Sequence, residues 1–279
     1  MCIFDTCFLY AERYLIIFVN YSLFVSTMYK TSEILNNPTT FETLPTISVD
    51  CVIFGYEENT LKVLVRREFI PYEGKIYLEW KLPGNHIRRS EDISETASRI
   101  LKEQTGLENI YVKQFMVFSD PDRLIKHKQD YEWVKPRLVD DRVITVGFYS
   151  LINLDDVVNS SIIEDAKWTN AYEIKELMFD HKEIFNEAFK KLRYDLLHEP
   201  LVFELLPEKF TLTQMQKLYE AIFYTTYDKR NYRRKVNKMP YLIPLDEIQS
   251  GVSHKPARLY TFDRDIYEKT RTERFDFRV

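Results

Sequence analysis

Residues 84–107 read GNHIRRSEDISETASRILKEQTGL, a loop, a helix and a second loop. Asp92 followed three residues on by Glu95 has the form of a capping box, in which each side chain accepts a hydrogen bond from the other's backbone N–H. Ile93, Ala97, Ile100 and Leu101 recur at helical spacing and predict a stripe that faces a core. Glu91, Arg99 and Glu103 fall off that stripe. Upstream, Trp80-Lys81-Leu82-Pro83-Gly84 reads as a strand and turn leading into it. Ile47 to Phe54 and Leu61 to Val65 are β-branched runs on either side of Glu57-Glu58-Asn59-Thr60, which predicts a hairpin.

The segment resembles a Nudix box, the motif that wraps an acid, an Arg-Glu pair, a Glu-Glu pair and a closing Gly-aliphatic pair round one helix. Gly106 and Leu107 fit the closing pair, Arg99 the arginine and Glu91 the acid, while Gly84 stands one residue too far upstream. The three helix glutamates fall on Ile100, Glu103 and Gln104, so one survives. In a hydrolase such carboxylates hold a hard divalent ion that polarises phosphorus and generates hydroxide. Isoleucine cannot ligate a metal and glutamine brings no charge. The resemblance therefore implies an α+β fold, a Nudix-like α/β/α sandwich with a mixed sheet, with the chemistry impaired and no catalytic residue, metal or cofactor assigned. The alternative is a metal-dependent pyrophosphohydrolase of nucleoside diphosphate derivatives using Glu103 with Glu91 or Glu95. Glu95 lies roughly two turns before Glu103 and could approach such a site only near the helix start.

Near the C-terminus Lys229, Arg230, Arg233, Arg234, Lys235 and Lys238 give six cations between 229 and 238 with no acid. Tyr232, Val236 and Met239 recur at i, i+4 and i+7, so one stripe can pack inward while the cations stay on the surface. Asp228 is a natural N-cap. Before it, Thr211-Leu212-Thr213-Gln214 opens a second amphipathic helix through Leu212, Met215, Tyr219, Ile222 and Phe223, and Tyr224 to Tyr227 make the turn between the two. Tyr241-Leu242-Ile243 and Arg258 to Phe262 read as two short strands joined through Ser250 to Lys255. Helix, turn, basic helix and β-wing in this order predict a winged helix-turn-helix. Residues 204–279 hold 15 Lys and Arg against 11 Asp and Glu, a net of +4, while the chain carries −4, so residues 1–203 carry −8. That segregation suits one module that meets a polyanion and one that does not. A basic run is otherwise a solvated helix face.

Phe203 to Gln214, Leu218 to Ile222 and Asp228 to Lys235 are similar to the Nudix-related transcriptional regulators of bacteria, among them ADP-ribose-sensing repressors of NAD metabolism and arabinose-sensing regulators of sugar utilisation. The likeness covers residues 46–262. It implies a double-stranded DNA operator, a homodimer, and a small effector, sugar or ADP-ribose-like, held where a hydrolase holds substrate. The expected DNA contacts are Thr211, Thr213, Lys229, Arg230, Asn231, Arg233, Arg234, Lys235, His254 and Lys255, since a recognition helix presents Arg and Asn to base edges while Lys, Thr and backbone N–H groups hold phosphates. Asp120, Asp122 and Arg123 from the charged segment between Phe118 and Val143, with Arg67 and Trp80, are the expected effector contacts. Charged forks suit hydroxyls or phosphates and Trp offers an apolar face; the alternative is a solvated loop.

The expected domains are 46–198, closed by a helix that Asp180 and Glu183 open and that carries Ile184, Phe185, Ala188, Phe189, Leu192 and Leu196, and 199–279, with a boundary at Glu199-Pro200 and an N-terminal lead over 28–45. Residues 1–27 are an odd extension. Tyr14 to Val25 is apolar but broken by Asn20 and short for a bilayer, and Asp5 and Glu12 spoil a signal peptide, so translation from Met28 is favoured over a membrane anchor. Of three cysteines, Cys2 and Cys7 lie there, leaving Cys51 alone, as suits a reducing cytoplasm without a disulfide framework. His86, His127, His181, His198 and His254 lack metal-ligand spacing. No phosphate loop or nucleophile elbow is present.

Overall fold

The structure, a computed structural model, describes residues 42–138, 140–154, 165–253 and 255–270. The extension over 1–27, most of the lead over 28–45 and His254 lie outside the described residues. Strands β1 (Thr43–Glu57) and β2 (Thr60–Tyr72) form the expected hairpin. Its turn residues Glu58 and Asn59 both have positive φ, +48° and +61°, the conformation whose twist matches that of the flanking strands. Both strands run well past the β-branched runs that predict them.

β3 (Lys75–Lys81) pairs antiparallel with β2, and β4 (Gly84–Arg88) adds to β1. β5 (Tyr111–Phe118) is antiparallel to β6 (Ile144–Asn153), and β6 runs parallel to β1 from Ile47↔Ile144 to Tyr56↔Asn153. β7 (Ala166–Asn170) pairs with β2. The sheet is mixed, in the order β3-β2-β1-β6-β5 with β4 on β1 and β7 on β2.

Helix α1 (Ile93–Thr105) packs on β4. Its capping box forms, with Asp92 Oδ1 accepting from Glu95 N and Glu95 Oε2 from Asp92 N, both at 2.8 Å. Gly106 ends it at φ +71°, donating to Lys102 O at 2.8 Å, a conformation glycine reaches without strain. Ala97, Ile100 and Leu101 are buried as predicted; Ile93, the first helical residue, is exposed. The charged segment after Phe118 is not one long loop: α2 (Lys128–Val134) and a 3-10 turn (Lys135–Arg137) fall inside it. α3 (His181–His198) starts after Asp180, whose carboxylate caps nothing because Arg123 takes it.

The C-terminal part is a winged helix. A 3-10 turn (Leu201–Glu204) leads to α4 (Leu212–Phe223) and α5 (Lys229–Val236), then β8 (Leu242–Ile248), β9 (Arg258–Phe262) and α6 (Arg264–Thr270). Phe210 bridges Tyr260 and ties the segment before α4 to the wing. α6 has no counterpart in the sequence reading; its buried Tyr267 meets Tyr241 edge to face with ring centroids 5.3 Å apart.

One hydrophobic core spans the expected boundary at Glu199-Pro200. Phe54 and Val63 of the sheet, Phe185, Leu192 and Leu196 of α3, Val202 and Leu205 of the connection, and Met215, Leu218, Ile222, Tyr232 and Val236 of the winged helix form one cluster. Fully burying such a side chain contributes about 1.5–3 kcal/mol, so the two modules share their largest favourable term. From Pro45 onward the chain forms one unit.

Candidate functional site

The box positions decide whether a hydrolase centre can form. Ile100 and Gln104 are buried in the packed side of α1, 2% and 4% exposed, so neither points to where a diphosphate could reach. Gln104 Oε1 has no hydrogen-bond partner among the described residues. Glu91 is gripped by Arg99 through Nε at 2.7 Å and Nη2 at 2.9 Å and accepts from Thr96 Oγ1 at 3.1 Å. The Arg99 hydrogen bonds hold the Glu91 carboxyl below the usual range. Glu103 leans on the same Arg99 at 3.4 Å and lies 3.8 Å from Arg88. Both surviving carboxylates are thus neutralised by arginines, and among the described residues no three His, Cys, Asp or Glu side chains gather to hold a metal ion. This donor set does not fit the divalent ion that the Nudix box holds in a hydrolase.

A cavity of about 240 Å³ opens instead where the start of β1, the ends of β2 and β3, and the N-terminus of α3 meet. Arg123, 5% exposed, forms its wall: Nε and Nη2 donate to Asp180 at 2.8 and 2.7 Å, and Nη1 donates to the Thr145 hydroxyl and to Val143 O. Asp50 faces it from β1 with no side-chain hydrogen bond among the described residues and with His181 Nε2 at 3.9 Å. Burial pushes the Asp50 carboxyl up to about 6, with Arg123 pulling down and Asp180 pushing further up. His181 Nδ1 accepts from Leu82 N at 3.0 Å, which leaves the proton on Nε2, and burial drives this imidazole down to about 3, so it is neutral at pH 7. Lys81 pairs with Glu68 at 2.7 Å on the rim.

Gly84 makes this geometry possible, since a Cβ there would lie 1.8 Å from Asp50 Oδ1. Phe179 lines the cavity at φ +53°, a strained backbone for a bulky residue. Asp130 Oδ2 accepts its N–H at 2.6 Å and holds it there.

Of the expected effector residues, Arg123 lines this cavity. Asp120 and Asp122 are exposed, Asp120 paired with Lys126 at 2.5 Å and accepting from Asp122 N at 2.8 Å. Arg67 and Trp80 are not among its lining residues; they stack with each other at 4.8 Å, with Lys167 on the same indole at 4.0 Å. Sequence reasoning missed Asp50, Asp180 and His181. A carboxylate inside the apolar run Ile47 to Phe54 is the signal that could have found Asp50, because a buried charge without a partner is costly to fold.

The second candidate surface is α5. Asp228 caps it, accepting from Asn231 N at 2.8 Å, and Tyr232 and Val236 are buried. Lys229, Arg230, Asn231, Arg233 and Arg234 are exposed, and among the described residues no carboxylate pairs with these four cations. Lys235 is half-buried. Thr213 and Lys255 are exposed, at the start of α4 and in the wing loop. Thr211 is buried and engaged as a cap, with Oγ1 accepting from Gln214 N at 3.1 Å.

α4 is anchored to the first module at its C-terminal end. Tyr172 Oη reaches Ala221 O and Ile222 O at 2.8 and 2.7 Å, Arg193 Nε donates to Ile222 O at 2.9 Å, and Arg193 Nη2 donates to Tyr172 Oη at 3.0 Å. These donors serve carbonyls that a helix end leaves unpaired.

A NUDIX domain family model matches residues 44–189, and a model described as the NrtR DNA-binding winged helix domain matches residues 202–262. The ADPR responsive transcriptional repressor NtrR of Acinetobacter baylyi is 28% identical over 231 residues, covering 80% of this chain and 84% of that protein. An ADP-ribose pyrophosphatase of Methanocaldococcus jannaschii is 25% identical over 52% of this chain and 74% of its own length. Among solved structures, Shewanella oneidensis NrtR complexed with a 27mer DNA is similar with a TM-score of 0.65 and 26% identity, over 82% of this chain and 97% of that one.

Proposed function

The chain belongs to the Nudix family, with a winged helix of the NrtR type behind the Nudix domain, and from that premise we propose that it is a DNA-binding transcriptional regulator whose Nudix domain senses a small metabolite instead of hydrolysing one. The observation that carries this reading is α5, a capped helix with its apolar stripe buried and four exposed cations that no carboxylate pairs among the described residues. Such a helix fits a major groove, with Arg reaching base edges and Lys holding phosphates. The similar Acinetobacter protein is described as a repressor responsive to ADPR, and the similar Shewanella protein was crystallised with DNA. Both support the reading. The state of the box supports sensing over hydrolysis, since the two remaining carboxylates are bound to arginines.

The regulator acts as a homodimer in this reading. Phe69, Ile76 and Leu78, 46%, 51% and 48% exposed, form an apolar strip on the β2–β3 hairpin, and such strips mark interaction surfaces. Light scattering tests it: the dimer is expected for the chain and the monomer for Leu78→Glu, and a wild-type monomer on DNA would refute it. The regulatory reading itself is tested by Arg233→Ala and Arg234→Ala. Each is expected to weaken operator binding about tenfold or more, the scale of a lost bidentate base contact, without lowering thermal stability. Unchanged binding by both variants would refute the assigned role of α5.

A further inference from the structure

Two side chains fix which way the rest of α5 faces. Tyr232 and Val236 are fully buried, so the direction midway between them points into the core. A helix turns by about 100° per residue, which sets Arg234 about 180° and Arg230 about 140° from that direction. Arg233 and Lys235 fall about 80° to either side of it, and Lys229 about 40°. The cations of α5 are therefore not equivalent. Arg230 and Arg234 stand on the crest that would reach the floor of a groove, while Lys229, Arg233 and Lys235 flank it, where the phosphates of the groove walls lie.

Arg234 is also held in place. Asn231, three residues before it, accepts from Arg234 Nη2 through Oδ1 at 3.2 Å. Asn231 is fixed in turn by the cap, since its backbone N–H goes to Asp228 Oδ1 at 2.8 Å. A guanidinium carries five N–H donors and this contact takes one, so the terminal fork of Arg234 stays open to a partner with two acceptors on one edge. In the major groove guanine offers that pair, O6 and N7, whereas adenine sets a donor beside its N7. The pairing of asparagine with adenine calls for the amide oxygen, which Asn231 turns to Arg234 instead. Arg230 and Arg234 are exposed, and among the described residues no carboxylate pairs with either.

We propose that α5 reads two G·C base pairs through Arg230 and Arg234, and that Asn231 is a positioning residue that presents Arg234 to its guanine. Four residues along a helix span about 6 Å and successive base pairs are about 3.4 Å apart, so the two pairs fall within three consecutive positions. The proposal rests on the reading of the chain as a DNA-binding regulator and names what its operator contains.

The test is selection from a randomised DNA duplex library by the full chain, followed by fluorescence anisotropy on the selected duplex and on a scrambled one. The expected motif holds two G·C pairs within three positions, with Arg234→Ala losing the preference at one and Arg230→Ala at the other. Replacing either guanine by 7-deazaguanine, which lacks the N7 acceptor, is expected to weaken wild-type binding about tenfold and to leave the variant without the matching arginine unaffected. Asn231→Ala is expected to lose the same preference as Arg234→Ala, while Asn231→Asp, which keeps the acceptor, retains it at lower affinity for all DNA. Arg233→Ala is expected to keep the motif and to bind the selected and scrambled duplexes more weakly alike. Salt-sensitive binding to the scrambled duplex shows that each variant is folded. A motif without these G·C pairs, or one that Arg230→Ala and Arg234→Ala leave unaltered, would overturn the proposal and leave the regulator reading standing. No enrichment by the wild-type chain would overturn both.

Discussion

At the scale of single residues, Asp50 makes stability depend on pH above about 4. Its carboxyl is raised from 3.8 to about 6 by burial, so the folded chain holds the proton that the unfolded chain releases. A raised acid disfavours folding once ionised: the cost is absent below about pH 4, grows between pH 4 and 6, and is complete above. A shift of this size corresponds to roughly 1–3 kcal/mol. Asp50→Asn is therefore expected to stabilise the ligand-free protein at pH 7.5 by that order, with the gain shrinking as pH falls toward 4, in urea melts at a series of pH values. Gln104 gives a second expectation. Its buried Oε1 has no partner among the described residues, so Gln104→Leu is expected to raise stability by about 1 kcal/mol, and a loss of stability would show that the amide is satisfied. The replaced glutamates were legible in the sequence at Ile100 and Gln104, and so was the inward turn of Ile100; the burial of Gln104 was not, because a polar side chain adds nothing to an apolar stripe.

At the scale of elements, caps and stripes were the legible features. The boxes at Asp92 and Thr211, the cap at Asp228 and the inward Tyr232 and Val236 stand where spacing puts them, since these are local hydrogen bonds and a 3.6-residue period. Asp180 was read as a cap and is an ion-pair partner of Arg123, 57 residues away in sequence, which no local pattern encodes. α2 was hidden for the opposite reason: a short, charged helix has too few apolar positions to show a period. The anchor at the end of α4 carries its own expectation. Arg193→Ala with Tyr172→Phe removes the donors to Ala221 O and Ile222 O and is expected to cost about 1–3 kcal/mol in thermal or urea unfolding. It is also expected to reduce the effect of a bound ligand on DNA affinity, because this contact joins the two modules. Full ligand response in that double variant would place the coupling elsewhere.

At the scale of the whole molecule, the continuous core makes one folding unit of what reads in sequence as two domains. Leu192 and Leu196 of α3 belong to the same cluster as Met215 and Tyr232 of the winged helix. One cooperative unfolding transition is expected, and Leu192→Ala, at a cost of about 2–5 kcal/mol, should lower it as a unit. Two separated calorimetric transitions would contradict the shared core. A rigid connection also suits regulation, since a ligand can change DNA affinity only by preferring one arrangement of the parts that touch DNA. The most direct test of the central claim is fluorescence anisotropy of the full chain on labelled DNA from upstream of its own gene, titrated at several salt concentrations. Tight binding that weakens steeply with salt, as released counterions require, is the predicted result; no salt-sensitive binding, together with metal-dependent hydrolysis of a nucleoside diphosphate sugar, would contradict it.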